Sequence, residues 1–410
     1  MKNILTGKKH LFTRIAIGFV IGILFGILLP EFSLSIKFIG DIYLNIIKAM
    51  IIPIIFVAVS TGIINIASGR DLGRIGFKSI FVFVLMFVAT AGIGLLISYL
   101  VRPGNRINIA ESGYDGEVTS PSVDEFFMNI IPDNLFMALS EGDILATIIF
   151  TVVFSIAIVA VGKEAEPVKS FINSLSKVIF KVLDYIMELT PIGIISLMAF
   201  AVAEYGAGIF SALGLYIVTA YAACIIAFIA VMLIPVWLYT GMSPVQFMKG
   251  IYKVWLVSLA TTSSAVTMPT TIRVTKNDFK VSNSITSFVV PLGTTINMAG
   301  GAISFSLLAV FVSDFYNLPL GVGQIIYLVV IATVINMAAP GIPGGGIVLG
   351  ASFLTLLGLP IELMGPIAAI YRILDMAYTT MNITGDAAAA ILIDESEKRR
   401  NKKTRVMAEA

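Results

Sequence analysis

Two carboxylates, an amide and a hydroxyl occupy one stripe of a segment that is otherwise apolar. The segment reads YRILDMAYTTMNITGDAAAA and lies in the last apolar stretch of the chain, from about 364 to 393. With Asp375 as origin and a step of 100° per residue, Thr379 falls at about +40°, Asn382 at about −20°, Asp386 at about +20° and Tyr378 at about −60°. The stripe covers about 16 Å of helix. A charge at the centre of a bilayer costs at least ~2.5–3.5 kcal/mol, so such groups mark function more often than packing. A polar seam between helices is the bland alternative, and it is weakened because no basic residue of the stripe neutralises both acids. Arg372, one turn before Asp375, can pair with that residue but cannot also reach Asp386. An unpaired carboxylate beside carboxamide and carbonyl oxygens suits a hard cation such as Na⁺. Asp386 with Asn382 is therefore the candidate cation site, and Asp375 the candidate partner of a substrate ammonium group.

The spacing recurs. NMAGGAIS places Gly300 three residues and Ala302 five residues after Asn297, and MNITGDAAAA places Gly385 and Ala387 at the same offsets from Asn382. Each copy follows a stretch rich in Ser, Thr, Gly or Pro. The first is TTSSAVTMP, whose free backbone N–H groups at a hairpin tip could bind a substrate carboxylate. Such a hydroxyl run also serves as a plain helix-packing surface. The second is APGIPGGG, which could act as a lid hinged on its glycines; a simple loop between two half-helices is the plainer reading. Non-helical backbone at membrane depth is tolerated only where it is buried in protein or lines a wet cavity. Asn297 and the broken backbone around it could supply the remaining oxygens of the cation site.

Composition sets the elements that must position these groups. Of 410 residues, 58% are hydrophobic and 13% charged, which excludes an ordinary soluble globule and indicates a polytopic membrane protein. A net charge of +2 gives no reason to expect nucleic acid as a partner. The single cysteine, Cys224, rules out a disulfide framework and a cysteine metal site. The single histidine, His10, lies in the basic N-terminal segment, which argues against haem, zinc or His-based catalysis inside the membrane. An intramembrane enzyme would also lack a Cys or Ser–Lys pair, so no enzymatic activity is expected. The apolar stretch from Leu11 to Pro30 is long enough to span and lacks a convincing cleavage site, so it reads as a retained first helix.

Apolar segments read as spans at about 11–30, 38–66, 76–101, 128–161, 171–200, 208–240, 284–313 and 364–393. MKNILTGKKH and ESEKRRNKKTR are both basic, which places both termini in the cytoplasm. ASGRDLGRIGFK is basic and belongs inside; GNRINIAESGYDGEVTSPSVDEFF is mostly acidic and belongs outside. Six spans return the chain to the inside near Lys249 and Lys253, and RVTKNDFK is also best placed there. The segment 246–282 must then enter and leave on one side, as a re-entrant hairpin. The same logic makes 323–362 a hairpin from the outside. The expected fold is an all-α polytopic membrane protein of eight transmembrane helices plus two opposed re-entrant helical hairpins, an inverted-repeat plan with binding sites near the midplane.

TTSSAVTMP, PLGTTINMAG, GIPGGG and DMAYTTMNITGD, in this order and across nearly the whole chain, resemble the dicarboxylate/amino acid:cation symporters, the glutamate-transporter homologues. The NMAG form is similar to their sodium/serine-threonine branch. The resemblance implies a homotrimer in a bacterial inner membrane that works by an elevator movement. It implies scaffold helices 1–2 in residues 1–75 and 4–5 in 128–205, an extracellular loop at 102–127, and a transport domain of 76–101 and 206–410 that ends in the basic tail. Substrate contacts would fall on Ser263, Ser264, Ile342, Gly346, Asp375, Thr379 and Asn382. Asp375 would hold an α-amino group, and Asn382 with the serine backbone an α-carboxylate. One sodium ion would use Asp386, Asn382, Asn297 and the carbonyl of Gly293. A second would use Thr295, Met298 and carbonyls near Asn336, Met337 and Ala339.

The departures from the family pattern bear on the cargo. Members that carry acidic substrates have an arginine three residues after the amine-binding aspartate, where this chain has Tyr378, or before the hairpin serines, where it has Thr262. They read NMDGT where this chain reads NMAGG, so the threonine that helps hold an acidic side chain is replaced by Gly301. Burying a second substrate carboxylate with no cation nearby is costly. The expected cargo is therefore a neutral amino acid, serine, threonine or alanine first, imported with Na⁺. Arg372 is the exception, since it could serve an elongated anionic substrate. The alternative is a glutamate, dicarboxylate or cystine symporter, coupled to sodium or to protons. A gated ion channel, the alternative of another class, needs a continuous pore with ring-like ligand sets; two opposed hairpins over one site suggest alternating access instead. The positions that match a third sodium site, Ala299, Phe83, Met86 and Phe87, offer no side-chain oxygen, so at most two sodium ions are expected.

Overall fold

The computed structural model describes residues 11–66, 72–106, 144–206, 208–337 and 345–409, with a few further positions between 134 and 140. Every element among them is helical. The chain begins with α1 (Leu11–Leu28), α2 (Pro30–Ser35), α3 (Lys37–Ala49), α4 (Ile51–Ile66) and α5 (Leu72–Val101). The stretch expected as one span at 38–66 is divided at Met50. Pro53 lies in the first turn of α4, where a residue with no N–H to give breaks no hydrogen bond. Next come α6 (Ile144–Val161) and α7 (Glu166–Tyr205). The expected span at 128–161 thus starts at Ile144, its earlier part lying mostly outside the described residues. Helix α7 outruns the expected 171–200 at both ends, opening on Pro167 and stopping at Gly206, whose φ of 68° suits a residue without a side chain.

Helix α8 (Gly208–Ala227) passes through a π-helical turn at Phe228–Leu233 into α9 (Ile234–Thr240), inside what reads as a single span. Pro235, which cannot donate to the preceding turn, follows the widening. Helices α10 (Pro244–Thr261) and α11 (Ser264–Asn277) pack against each other as a hairpin where one is expected. Helices α12 (Asn283–Ile296) and α13 (Ala299–Phe315) are one expected span interrupted at Asn297 and Met298. The arms α14 (Val322–Met337) and α15 (Gly345–Leu356) also touch each other, and the residues between them lie outside the described set. The chain closes on α16 (Met364–Glu409).

Among the described residues, five helical stretches are long and apolar enough to cross a membrane: Pro30–Thr61, Arg74–Asn105, Glu188–Tyr205, Gly208–Thr240 and Asn283–Phe315. Eight spans were expected. Helix α16 is not among the five, because its polar stripe dilutes its apolar content. The Asn283–Phe315 stretch is 89% buried in its most apolar window, so protein shields it from lipid and its backbone can break there.

Helices α1 and α3 pack on α7, and α4 packs on α6 and α7; α5 packs on α13, while α8, α10, α11, α12 and α13 all contact α16. The α1–α7 pair is close because α1 is notched by glycines one turn apart. A Cβ at Gly22 would lie 2.7 Å from the Ile195 carbonyl oxygen. Arg14 closes the same pair through Glu188 at 2.5 Å.

Candidate functional site

Helix α16 crosses the α12–α13 break at Asn382. The break needs an explanation, since it leaves amides and carbonyls without helical partners. Asn297 has φ −92° and ψ 91°, and Met298 φ −108° and ψ 56°. The other helix satisfies the exposed groups. Gly300 N–H donates to Asn382 Oδ1 at 2.7 Å, and Asn297 Nδ2 donates to the Asn382 carbonyl at 3.2 Å. Asn382 Nδ2 meets the Met298 sulfur at 3.1 Å.

Asp386 lies one turn further along α16 and is fully buried. Its Oδ1 accepts from Asn297 Nδ2 at 2.9 Å, and its Oδ2 from Thr294 Oγ1 at 3.3 Å. Gly293 lets the carboxylate approach α12, because a Cβ there would strike Asp386 Oδ1. Among the described residues no basic side chain pairs with Asp386. Two neutral donors do not balance a buried negative charge. The Asn297 Oδ1 atom is buried beside it with no hydrogen-bond partner among the described residues. A carboxylate, an unengaged carboxamide oxygen and backbone carbonyls are the donor set a hard monovalent cation takes. The four positions that match a third sodium site, Phe83, Met86, Phe87 and Ala299, are apolar and buried.

Beside the crossing is a cavity of ≈ 50 Å³, room for about four waters. Ser264, Gly301 and Gly346 line it, as do Asp375, Tyr378, Thr379 and Asn382. Asp375 Oδ1 accepts from Thr379 Oγ1 at 3.1 Å, one turn on along α16. The first hairpin presents its tip here. Thr262 takes a left-handed φ of 47° to end α10, and Ser263 restarts the chain as the N-cap of α11, its Oγ accepting from Val266 N at 3.3 Å. The Ser263 hydroxyl is thus committed to a cap, whereas Thr262 and Ser264 face the cavity.

Several expected residues sit differently. Tyr378 lines the cavity but is buried, with Ser304 and Tyr216 near its hydroxyl. Thr295 is exposed, and its hydroxyl returns to the Pro291 carbonyl at 3.1 Å. Its neighbour Thr294, one residue and about 100° round the helix, reaches Asp386 and was not singled out from the sequence. Of the second cation set, Met298 and Asn336 line the cavity, Met337 ends α14, and Ala339 lies outside the described residues, as does Ile342. A Cβ at Gly301 would strike Asn336 Oδ1. Reasoning from sequence missed Ser304 and Tyr371, which also line the cavity. Tyr371 was within reach of it, four residues before Asp375 on the same stripe. Its hydroxyl sits where a Cβ at Gly346 would go, so the second hairpin closes on it.

Residues 11–396 match the sodium:dicarboxylate symporter family. The chain is 31% identical over 404 residues to the proton/sodium-glutamate symport protein of Bacillus subtilis (strain 168), covering 95% of this chain and 93% of that protein. It is 32% identical over 401 residues to the C4-dicarboxylate transport protein of Rhizobium johnstonii, covering 94% and 90%. It is 31% identical over 406 residues to the proton/sodium-glutamate symport protein of Geobacillus stearothermophilus, covering 96% of each.

Proposed function

Because the chain belongs to the sodium:dicarboxylate symporter family, we propose that it takes up a small carboxylate-bearing solute against its gradient by coupling it to inward sodium movement. The observation that carries this reading is Asp386, buried with no basic partner among the described residues, beside the unengaged Asn297 Oδ1. Sodium would sit between them and be released when the solute is delivered. Asp375 and Thr379 would hold an ammonium group, and the N-terminus of α11 at Ser264 a carboxylate. In this reading the protein sits in a bacterial inner membrane with both termini inside, built from eight spans and two opposed hairpins. Helices α5 and α8 to α16 would move as a transport domain against α1 to α4, α6 and α7, in a homotrimer.

The names of the relatives favour a glutamate- or dicarboxylate-like cargo over the neutral amino acid that Tyr378 and Gly301 suggest. The neutral reading keeps one observation on its side: among the described residues no side chain lining the cavity is cationic. Purified protein in liposomes tests the main reading. An inward sodium gradient should drive accumulation of aspartate, glutamate or succinate, and replacing all sodium with choline or potassium should abolish it. Accumulation indifferent to sodium would overturn the coupling.

A further inference from the structure

Away from the crossing, α5, α9 and α16 enclose a groove of ≈ 500 Å³, against ≈ 50 Å³ for the cavity at the crossing. The lining changes character within one turn on all three helices. Lys78 gives way to Val82 on α5, Tyr239 to Pro235 on α9 and Ser396 to Leu392 on α16. Contacts bring the polar members to one end. Lys78 Nζ donates to Ser396 Oγ at 2.8 Å, and the Arg399 guanidinium lies 4.3 Å from the centre of the Tyr239 ring. That end is also the edge of the apolar zone. Of the stretches able to cross a membrane, Arg74–Asn105 begins here and Gly208–Thr240 ends here. Helix α16 changes from AAAAILI to DESEKRR at Asp394. The charges at this level are layered. Glu397 pairs with Arg74 and Lys78, Asp394 with Lys398, and Glu395 with Arg399. In each pair the base is the more exposed partner: the Glu397 side chain is 11% exposed against 47% for Arg74, and that of Asp394 6% against 60% for Lys398. The acids lie beneath the bases, so the rim shows positive charge outward. Among the described residues Lys78 gives donors to Ser396 and Glu397, and an ammonium has three to give.

We propose that this groove binds an anionic phospholipid, its phosphate against Lys78 and Arg399 and an acyl chain along Val82, Pro235 and Leu392. The apolar end would accept any hydrocarbon chain; the outward bases select a negative headgroup. Tyr239 stands where an aromatic ring with a polar tip is favoured, between chain and headgroup. In the orientation proposed above, the rim faces the cytoplasmic leaflet, whose anionic lipids attract basic residues at the membrane surface. The site depends on the membrane placement alone, and neither the solute nor the coupling ion enters it.

The test is a ratio of lipid affinities. Trp237, exposed on α9 beside the groove, reports its occupancy once Trp255→Phe has removed the only other tryptophan. Purified protein of this background is placed in vesicles that mix phosphatidylglycerol and phosphatidylcholine, with one or the other brominated, and quenching of Trp237 gives their relative affinity. Phosphatidylglycerol should bind about 25-fold more tightly, about 5-fold for each cation on the phosphate. Lys78→Gln and Arg399→Gln should each lower that preference about 5-fold. Lys249→Gln, a basic residue of α10 outside the groove, should leave it unchanged. Equal affinity for the two lipids would overturn the proposal, as would an undiminished preference in Lys78→Gln and Arg399→Gln. An equal loss in Lys249→Gln would reduce the effect to general surface charge and overturn it too. Release of the brominated lipid by inorganic phosphate would make this a soluble-anion site, and no quenching by either lipid would mean that protein covers the groove; both overturn the lipid. Thermal unfolding confirms that each variant is folded, and Arg399→Gln carries the test alone should Lys78→Gln not fold. Sodium-driven uptake, which tests the symport reading, is measured separately and is not at stake in these results.

Discussion

The two Asn-x-x-Gly-x-Ala copies share a spacing and differ in backbone. At Asn297 the helix stops and restarts at Ala299, whereas at Asn382 it runs on unbroken. The copies interlock. A Cβ at Gly385 would lie 2.6 Å from Asn297 Nδ2, and one at Gly300 would strike the Tyr378 backbone, so each glycine is a socket for the other strand of the crossing. Four residues past each asparagine the copies part company: the first has Gly301, the second Asp386. An intact helix keeps its own backbone bonds and can hold a charge rigidly. A broken helix gives them up and frees amides and carbonyls for ligands. The crossing joins the two, and the charge sits on the copy that does not bend.

Removing that charge should break the contrast most. Asp386→Asn keeps the shape of the side chain and loses its negative charge. Sodium should then no longer raise the unfolding temperature as it does for any native state that binds it. Cation-coupled accumulation should fall by more than about 100-fold, beyond the loss typical of a residue that only supports a ligand. A sodium-dependent shift of undiminished size in Asp386→Asn would place the ion elsewhere.

The glycine sockets should differ in a way that sharpens the comparison. At Gly300 the obstacle is backbone, which cannot step aside; at Gly385 it is the end of the Asn297 side chain. Gly300→Ala should therefore cost about 3 kcal/mol of stability and Gly385→Ala about 1 kcal/mol, at the two ends of the range for overpacking. Thermal unfolding of the two variants side by side checks the order. Equal losses would mean that α16 shifts as a body and that the break is not the rigid partner.

The hairpins extend the same division. The first is tied to α16 by directional bonds: Trp255 Nε1 donates to Thr384 Oγ1 at 2.8 Å, and Ser258 and Thr380 share a hydroxyl bond at 2.8 Å. The second meets its neighbours through apolar faces, such as Phe353 stacked on Phe305 with ring centroids 4.7 Å apart. Apolar faces slide with little loss, while directional bonds do not. The first hairpin should therefore be held to α16 more firmly than the second is held to its neighbours. Trp255→Phe should cost only about 1 kcal/mol of stability, because the Thr384 hydroxyl keeps its bond to the Thr380 carbonyl at 2.6 Å. It should also speed exchange of amides in α10 relative to α12. Equal exchange in both helices would mean that the seam is not what holds the hairpin.

How much of this was legible follows from what a single helix's period can reveal. The stripe from Asp375 to Asp386 needs only 3.6 residues per turn, and the cavity-lining residues of α16 lie where that period puts them. The pairing of α10 with α11 was legible from charge, because basic residues at both ends of the segment predict ends on one side, and the two arms do pack against each other. What a period cannot reveal is what crosses it. Thr294 was not singled out beside Asp386, because the phase of α12 depends on where it breaks. The turn of Arg372 toward the hairpin tip, where it donates to the Ala260 and Thr261 carbonyls, depends on another helix altogether. The division at Met50 and the π-helical turn at Phe228–Leu233 are local events inside uniformly apolar runs, where hydropathy carries no signal.

The smallest expected effect lies at the far end of α16, past the crossing. Glu397 accepts from Arg74 Nη2 at 2.5 Å and from Lys78 Nζ at 2.7 Å, which ties α16 to α5. Burial pushes its carboxyl up, but the hydrogen bonds and charges of Lys78 and Arg74 outweigh that and hold it below the usual carboxylate range. A lowered folded value stabilises above the unfolded one, about 4.3 for Glu, and that stability is lost as pH falls through the folded value. Arg74 remains half-exposed, so the contribution should stay under about 1 kcal/mol. Glu397→Gln should be slightly less stable than the wild type at neutral pH, and the two should converge below about pH 4. A gap that widens in acid would mean that the two cations fail to offset burial at this carboxylate, and that α16 is held to α5 by packing alone.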